Sequence, residues 1–226
     1  MTQTKKNANN TSIEERLHCF VPREEFKNAC INAVNNGMFK RSFMFYIKGK
    51  TKKNDKRLAA DAPASLSFYN AVVTAGGYTL TMRLDHVLTF LKLDGSKYDS
   101  SGEEVLGACI HYSKGRNVPE WRIVYYLDGE DKAKERNLGT VDHIVARANG
   151  GKDRLYNMQM MRSRVNHRKA DKENSFENND FSTDRKILRA AQLGLRNMNT
   201  PNKKSCCVKE ELTELFAEEL ESIDSI

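Results

Sequence analysis

Residues 141–172 contain polar side chains at a spacing that could hydrolyse a phosphodiester. Asp142 and His143 are adjacent, and Asn166 follows in the same stretch. An imidazole titrates near neutral pH and can take a proton from water. Carboxylate and amide oxygens are hard ligands that suit Mg²⁺ or Mn²⁺, which offset the charge that builds up on a phosphoryl group. These residues predict metal-assisted hydrolysis, with His143 as general base and Asp142 and Asn166 as candidate ligands.

The residues around them predict a strand, a turn, a second strand and a basic helix. The strands are 138–145 and 156–161, the turn is Asn149-Gly150-Gly151, and the helix is 163–172. On that helix Asn166 shares a face with Lys169 and Arg162, so two phosphate-reaching cations would flank the amide. Neighbours on a regular strand point to opposite faces, so the first strand must end or distort at Asp142 and His143.

The same residues resemble the HNH nuclease motif, the ββα-metal finger. The match comprises Asp142-His143-Ile144, Gly150-Gly151, Asn157, and Asn166 with Lys169 as a catalytic cation. The resemblance implies that Asp142 and Asn166 hold the metal and that His143 activates water. It also implies that Asn157 pins the loop and orients the histidine, and that the products carry 5′-phosphate and 3′-hydroxyl ends. Upstream it extends weakly to Gly77, where the sequence is similar to phage-type members.

The family varies in two features, the last residue of the motif and a structural zinc site. Some members end the motif with histidine, so His167 is the alternative ligand; it points about a hundred degrees away from Asn166 on a helix. Many members also carry pairs of cysteines for a structural zinc, whereas the matching helix positions here are Arg162 and Val165. We therefore expect Mg²⁺ or Mn²⁺ at the site and no structural zinc.

A second Asp-His pair, Asp85-His86, is an internal control for the motif. At the spacing at which His143 is followed by two asparagines, this pair is followed by Ser100 and Cys109. An isolated Asp-His pair is therefore uninformative. The prediction depends on the complete pattern, with its glycines and its basic helix.

The charge of the chain predicts a polyanionic partner. Its 226 residues have a formal net charge of +7 and a sequence pI near 9.1, which favours nucleic acid or an anionic membrane surface. Together with the motif, this charge indicates DNA, most simply a duplex. The expected phosphate contacts are Arg147, Arg162, Arg164, Arg168, Lys52 and Lys53.

Sequence patterns also bear on the compartment. No stretch approaches the roughly eighteen apolar residues of a membrane span, and the polar start MTQTKKNANNTS lacks the apolar segment of a signal peptide. Five cysteines without a C-x-x-C pair predict reduced thiols. We therefore expect a cytoplasmic protein without a membrane partner.

The remaining patterns predict an α+β body that carries the ββα finger. Predicted helices are 23–36, 65–75, 79–94 (with Leu84, Val87, Leu88 and Leu91 at helical spacing), 184–197 and one from about Lys209 with an acidic outer face; predicted strands are 42–47 and a hairpin within 105–127. The helices 65–75 and 79–94 would fit either core packing or a DNA-reading helix-turn-helix. The acidic helix would pack on the body or on a partner subunit, with DNA mimicry as the alternative. The expected regions are a basic N-terminal region (1–60), a nuclease domain (61–175, with its finger at 138–172) and a C-terminal segment (176–226).

Two hypotheses of different classes follow. The first is a metal-dependent DNA endonuclease; it would nick DNA, because one finger cuts one strand per engagement unless it dimerises or rebinds. The second is a DNA-binding protein that keeps the fold without catalysis, although a binder needs none of Asp142, His143 and Asn166. An RNA nuclease is a variant of the first, because the motif alone does not separate the two nucleic acids.

Overall fold

The computed structural model describes residues 20–42, 65–112, 118–125, 137–169 and 181–226. These residues form a mixed α+β fold with five helices, a six-stranded sheet and a two-stranded sheet. The α+β expectation is confirmed at this level. The predicted strand at 42–47 lies outside the described residues beyond Ser42, and Lys52 and Lys53 lie outside them as well.

The larger sheet is almost entirely antiparallel. Its strands are β1 (Val21–Pro22), β2 (Phe39–Arg41), β3 (Tyr69–Ala75), β4 (Tyr78–Arg83), β5 (Gly107–Tyr112) and β6 (Pro119–Val124). Their order across the sheet is β1-β5-β6-β4-β3-β2, and only β4 and β6 run parallel. Strands β5 and β6 form the hairpin that the sequence predicts within 105–127. Trp121 on β6 is fully buried and donates its indole N–H to the Val73 carbonyl at 3.0 Å.

The prediction of a helix at 65–75 is wrong. A 3₁₀ turn at Leu66–Phe68 leads directly into β3, which pairs along its length with β4. Alternate residues of β3 are buried, the period of a half-buried strand, and β-branched Val72 and Val73 favour that form. Gly76 and Gly77 have φ of 53° and 78°, which suits a tight hairpin turn. Since 65–75 is not helical, the helix-turn-helix interpretation fails too.

The five helices pack around the sheet and mostly lie where the sequence predicts them. The prediction of a helix over 79–94 is wrong for 79–83, which belong to strand β4 and pair with β3. They are α1 (Arg23–Asn35), α2 (Leu84–Leu91), α3 (Ser163–Lys169), α4 (Ser182–Asn197) and α5 (Lys203–Asp224). Phe26 of α1 stacks edge-on against Trp121 at 5.3 Å and tilts against Phe90 of α2 at 5.9 Å. One hydrophobic core includes side chains from Val21 to Ile223. No helix among the described residues is long and apolar enough to cross a membrane.

The acidic C-terminal helix α5 packs on its own body, as expected. Its apolar stripe is buried, and Phe216 lies 6.1 Å from the ring of Phe39. Glu211 accepts hydrogen bonds from Arg41 Nε and the Tyr69 hydroxyl, each at 2.9 Å. Part of its acidic face is therefore used within the chain.

Strands β7 (Gly139–His143) and β8 (Met158–Arg162) form the second sheet, and α3 follows β8 directly. We call β7, β8 and α3 the hairpin–helix unit. A bridge between Leu138 and Val124 joins it to the end of β6. Gly139 is required at this junction, because a Cβ there would lie 2.8 Å from the Cβ of Ile123.

Ionisable side chains hold the loop before β8 against the body. Lys92 at the end of α2 donates to the carbonyls of Leu155 at 2.9 Å and Met158 at 2.8 Å, and it pairs with Asp184 at 2.8 Å. Glu219 of α5 accepts from the Leu155 amide at 2.7 Å. Burial raises the pKa of Glu219 to about 7, despite the opposing hydrogen bond from Leu155. Helices far along the chain therefore hold this loop.

Candidate active site

A cleft of about 310 Å³ separates the hairpin–helix unit from the body. Body residues on its wall are Ser65, Ser67, Arg83 and Asp85, and the unit contributes Asp142, His143, Ala146 and Arg147, among others. The Asp-His pair of the motif therefore opens onto a cavity. Asp85 of the control pair lies on the opposite wall of the same cavity.

His143 ends β7 and has a defined hydrogen-bond partner. Its Nε2 lies 2.6 Å from Asp153 Oδ1, and Arg147 holds the same carboxylate with Nε at 2.6 Å and Nη2 at 2.7 Å. Burial raises the pKa of Asp153, but the hydrogen bond from His143 and the charge of Arg147 outweigh it, so this pKa lies below its usual range. An ionised carboxylate only accepts hydrogen bonds, so Nε2 carries the proton. In the neutral ring, Nδ1 is then the basic atom.

Asp142 faces the helix rather than the loop. Its Oδ2 accepts from Gln159, its cross-strand neighbour, at 2.9 Å and from Lys169 at 2.6 Å. Lys169 also donates to the His143 carbonyl at 2.5 Å. The side chains of Asp142 and Lys169 are each only 9% exposed, which strengthens their attraction relative to that of a surface pair. This contact fixes α3 against the end of β7.

The strand ends where the sequence requires it to. The β7–β8 pairing stops at the His143–Met158 pair, and residues 144–146 continue as an irregular turn. The two side chains bond to different partners, Asp142 to the helix and His143 to the loop. Both nevertheless line the cleft.

Asn157 ties the two ends of the loop together. It is fully buried; its Oδ1 accepts from the Val145 amide at 2.8 Å, and its Nδ2 donates to the carbonyls of Val145 at 3.0 Å and Lys152 at 2.9 Å. Gly150 has a φ of 86°, as predicted for the turn. Gly151 is needed for space, because a Cβ there would lie 1.8 Å from the Val145 oxygen and 2.9 Å from Asn157 Nδ2.

Asn166 and His167 differ in their surroundings. Asn166 is half-buried, and its amide has no hydrogen-bond partner within the described part of the chain. His167 is exposed, and its Nδ1 lies 2.7 Å from the Ser163 carbonyl. No group of three or more His, Cys, Asp or Glu side chains among the described residues could hold a metal. A site made of one carboxylate and one amide contains only one side chain of these four types, so it is not a group of this kind.

The predicted phosphate-contacting arginines separate into two sets. Arg164 and Arg168 are exposed on α3, and Arg147 is half exposed beside the cleft. Arg162 is the last residue of β8 rather than a residue of the helix, and its Nη1 pairs with Glu103 of the body at 2.5 Å. The expectation that Arg162 shares the helix face of Asn166 is therefore wrong.

Asp153 and the Arg83–Asp85 pair belong to the site but are not predicted by the sequence patterns. Asp153 follows the glycine turn and carries no motif signal of its own. Arg83 Nε donates to Asp85 Oδ1 at 3.0 Å, and Nη2 donates to Oδ2. An arginine two residues before a buried aspartate is a weak signal, because only the fold brings both to the cleft.

Comparison with protein-family models, with curated proteins and with solved structures gave no match for this chain.

Proposed function

We propose that this protein is a metal-dependent endonuclease of the HNH type that hydrolyses phosphodiester bonds in DNA. The observation that carries the proposal is the contact between Asp142 and Lys169 at 2.6 Å, which closes the helix onto the strand beside His143. Asn157 holds the intervening loop through Val145 and Lys152. Asp142 and His143 line the cleft, and Lys169 is held directly against both residues.

His143 is the proposed general base. Because its Nε2 proton is directed at Asp153, Nδ1 remains to accept a proton from water. The ionised Asp153 also stabilises the imidazolium that forms when the proton is taken, as the carboxylate does in other His–Asp pairs. Arg147 holds Asp153 from the other side with two hydrogen bonds. The base therefore needs no reorganisation before it acts.

The chemistry of the donor set fits Mg²⁺ or Mn²⁺. Gln159 and Lys169 both bind Oδ2 of Asp142, which leaves Oδ1 as the candidate ligand atom. Asn166 lies one helical turn before Lys169, and its amide oxygen would be the second protein ligand; waters and substrate oxygens complete such sites. When bound, the ion would act as a Lewis acid that offsets charge on the phosphoryl oxygens.

The charges around the cleft are balanced in pairs. Arg83 pairs with Asp85, Arg147 with Asp153, and Lys169 with Asp142. These six groups together contribute no net charge, so a divalent ion would make the cleft positive. Arg164 and Arg168 are exposed on α3 and have no ion pair with any described residue, so they would supply positive charge for the flanking phosphates.

The test is the conversion of supercoiled plasmid by the wild type and by His143→Ala, with Mg²⁺, with Mn²⁺ and with EDTA. We expect open circles with either metal for the wild type, none with EDTA, and almost none for the variant. The ratio of open circles to linear molecules distinguishes nicking from double-strand cutting.

A parallel reaction uses a structured RNA of similar length. Faster cleavage of RNA than of DNA would reassign the substrate. If neither nucleic acid is cut across a set of plasmids of varied sequence, while both proteins retard DNA equally in a gel, the endonuclease proposal is wrong and the chain is a DNA-binding protein.

A further inference from the structure

The body wall of the cleft carries an arginine that the motif does not include. Arg83 is the last residue of β4 and directly precedes α2. It lines the same cavity as Asp142 and His143. Its side chain is 47% exposed, whereas that of Asp85 beneath it is 2% exposed. The guanidinium therefore sits at the boundary between protein and cleft.

Asp85 holds this guanidinium by one edge only. Nε and Nη2 of Arg83 donate to the two carboxylate oxygens of Asp85. A guanidinium has five N–H groups, so three remain, including the parallel pair on the Nη1–Nη2 edge. Among the described residues these three have no hydrogen-bond partner. Two parallel N–H groups match two oxygens of a phosphate.

The carboxylate is itself held rigidly. Asp85 Oδ1 accepts from the His86 amide at 2.9 Å in the first turn of α2. Burial raises the pKa of Asp85, but the charge and hydrogen bonds of Arg83, together with smaller contributions from His86 that include its amide hydrogen bond, outweigh burial, so this pKa lies below its usual value. An ionised, buried Asp85 fixes the plane of Arg83, so little side-chain entropy remains to be lost when a ligand binds.

The opposite wall repeats this arrangement. Arg147 uses the same two atoms, Nε and Nη2, to hold both oxygens of Asp153. The cleft is thus flanked by two arginines, each fixed along one edge by an aspartate. His143 and Asp142 lie on the wall of the unit beside Arg147.

We propose that Arg83 is a phosphate-binding residue, which receives a backbone phosphate of the nucleic acid on its Nη1–Nη2 edge. Asp85 is its positioning residue. The strand would then cross the cleft between the body and the hairpin–helix unit, with Arg83 and His143 on opposite sides. This inference rests on the proposed function for its substrate, but binding can be measured without cleavage.

The experiment measures fluorescence anisotropy of a labelled 20-base-pair DNA duplex in EDTA, with the full chain carrying His143→Ala. On this background we compare Arg83→Ala, Arg83→Lys and Arg196→Ala. Arg196 is an exposed arginine on α4 that does not line the cleft, so it is the matched control for loss of one positive charge. Thermal unfolding of each variant is measured in parallel.

We expect Arg83→Ala to raise the Kd about tenfold, the equivalent of about 1.4 kcal/mol, and Arg196→Ala to raise it less than threefold. Arg83→Lys keeps a positive charge beside Asp85 and should therefore keep the fold. It lacks the two parallel N–H groups of the Nη1–Nη2 edge, so its Kd should rise at least fivefold. If Arg83→Lys is folded and binds like the control, the inference is wrong, whatever the stability of Arg83→Ala. If Arg83→Ala weakens DNA binding as expected while the wild type cuts no nucleic acid, the role of Arg83 is upheld and the endonuclease proposal is rejected.

Discussion

The chain contains the Asp-His dipeptide twice, and the two copies have opposite environments. Asp142-His143 ends a strand at the cleft, where the His143 side chain is 18% exposed. Asp85-His86 opens helix α2, and both residues are buried. Burial lowers the pKa of His86 to about 3, although the charge of Asp85 opposes the shift. The same dipeptide thus yields a candidate base in one place and a neutral core residue in the other.

The difference arises from backbone path and solvent access. In the first turn of helix α2, His86 is buried, with 4% of its surface exposed. At the end of a strand, His143 reaches a carboxylate of the following loop, Asp153. Asp85 nevertheless lines the cleft, where its carboxylate accepts a hydrogen bond from Arg83. His86 of the control pair is therefore not a candidate base, whereas Asp85 of the same pair borders the proposed site.

Substitution of His143 or of His86 gives the largest expected effects, the first on cleavage rate and the second on stability. His143→Ala should lower the cleavage rate about 10²- to 10⁴-fold, the usual contribution of a general base, with little change in thermal stability. His86→Gln should lower stability by about 1–3 kcal/mol, because a buried site is disturbed, and leave the rate per folded molecule nearly unchanged. Plasmid cleavage and thermal unfolding separate the two outcomes. A loss of rate in His86→Gln at full folding would contradict the contrast.

The pH dependence of stability should come next in size. Because the folded-state pKa of His86 is lowered to about 3, its contribution is complete above pH 6.5 and is lost as the pH falls. The loss should reach about 3 kcal/mol by pH 4. His86→Gln should flatten this acid slope of the melting temperature. An unchanged slope would mean that His86 is not held neutral.

Glu219 should act with the opposite sign. Its folded-state pKa is raised to about 7, so its contribution to stability is complete below about pH 4.5 and is lost as the pH rises to 7. Glu219→Gln should remove that loss. Between pH 4.5 and 6.5 the effects of His86 and Glu219 partly cancel in the wild type, so each variant is needed to expose the other slope.

Asp153→Ala tests what distinguishes His143 from His86. We expect kcat to fall about 10- to 100-fold, the range for residues that orient a reactive group, with KM nearly unchanged. A long-range ¹H–¹⁵N spectrum of the imidazole should show loss of a fixed Nε2–H tautomer. The control is Glu104→Ala, which removes an exposed ion pair with Lys97. An unchanged tautomer would remove Asp153 from the proposed mechanism.

Two turn glycines offer the smallest test. Gly150 and Gly77 have φ of 86° and 78°, and a Cβ at either would meet nothing within 4 Å. Alanine at each should cost about 1 kcal/mol of backbone strain. Only Gly150→Ala should also slow cleavage, because its loop carries Asp153. Equal activities in the two variants would show that the loop tolerates such a shift.

The sequence alone determined the local part of this molecule. The hairpin–helix unit, helices α1 and α4 and the β5–β6 hairpin follow from periodicity and turn residues, which act between near neighbours. The 65–75 segment was mispredicted, because serine and glycine at its ends suit both a helix and a hairpin strand. Pairing with β4 decided in favour of the strand, and such pairing is not a property of the segment itself.

The tertiary structure decided which groups share the cleft. The motif residues are close in sequence, so their spacing alone proposes them as a set. Arg83 and Asp85 come from another part of the chain. Lys92, directly after α2, and the buried Glu219 of α5 hydrogen-bond to the loop of the site. The ionisation of a group depends on burial and on its neighbours in space. Only the fold could therefore make one Asp-His pair a candidate catalyst and the other a structural element.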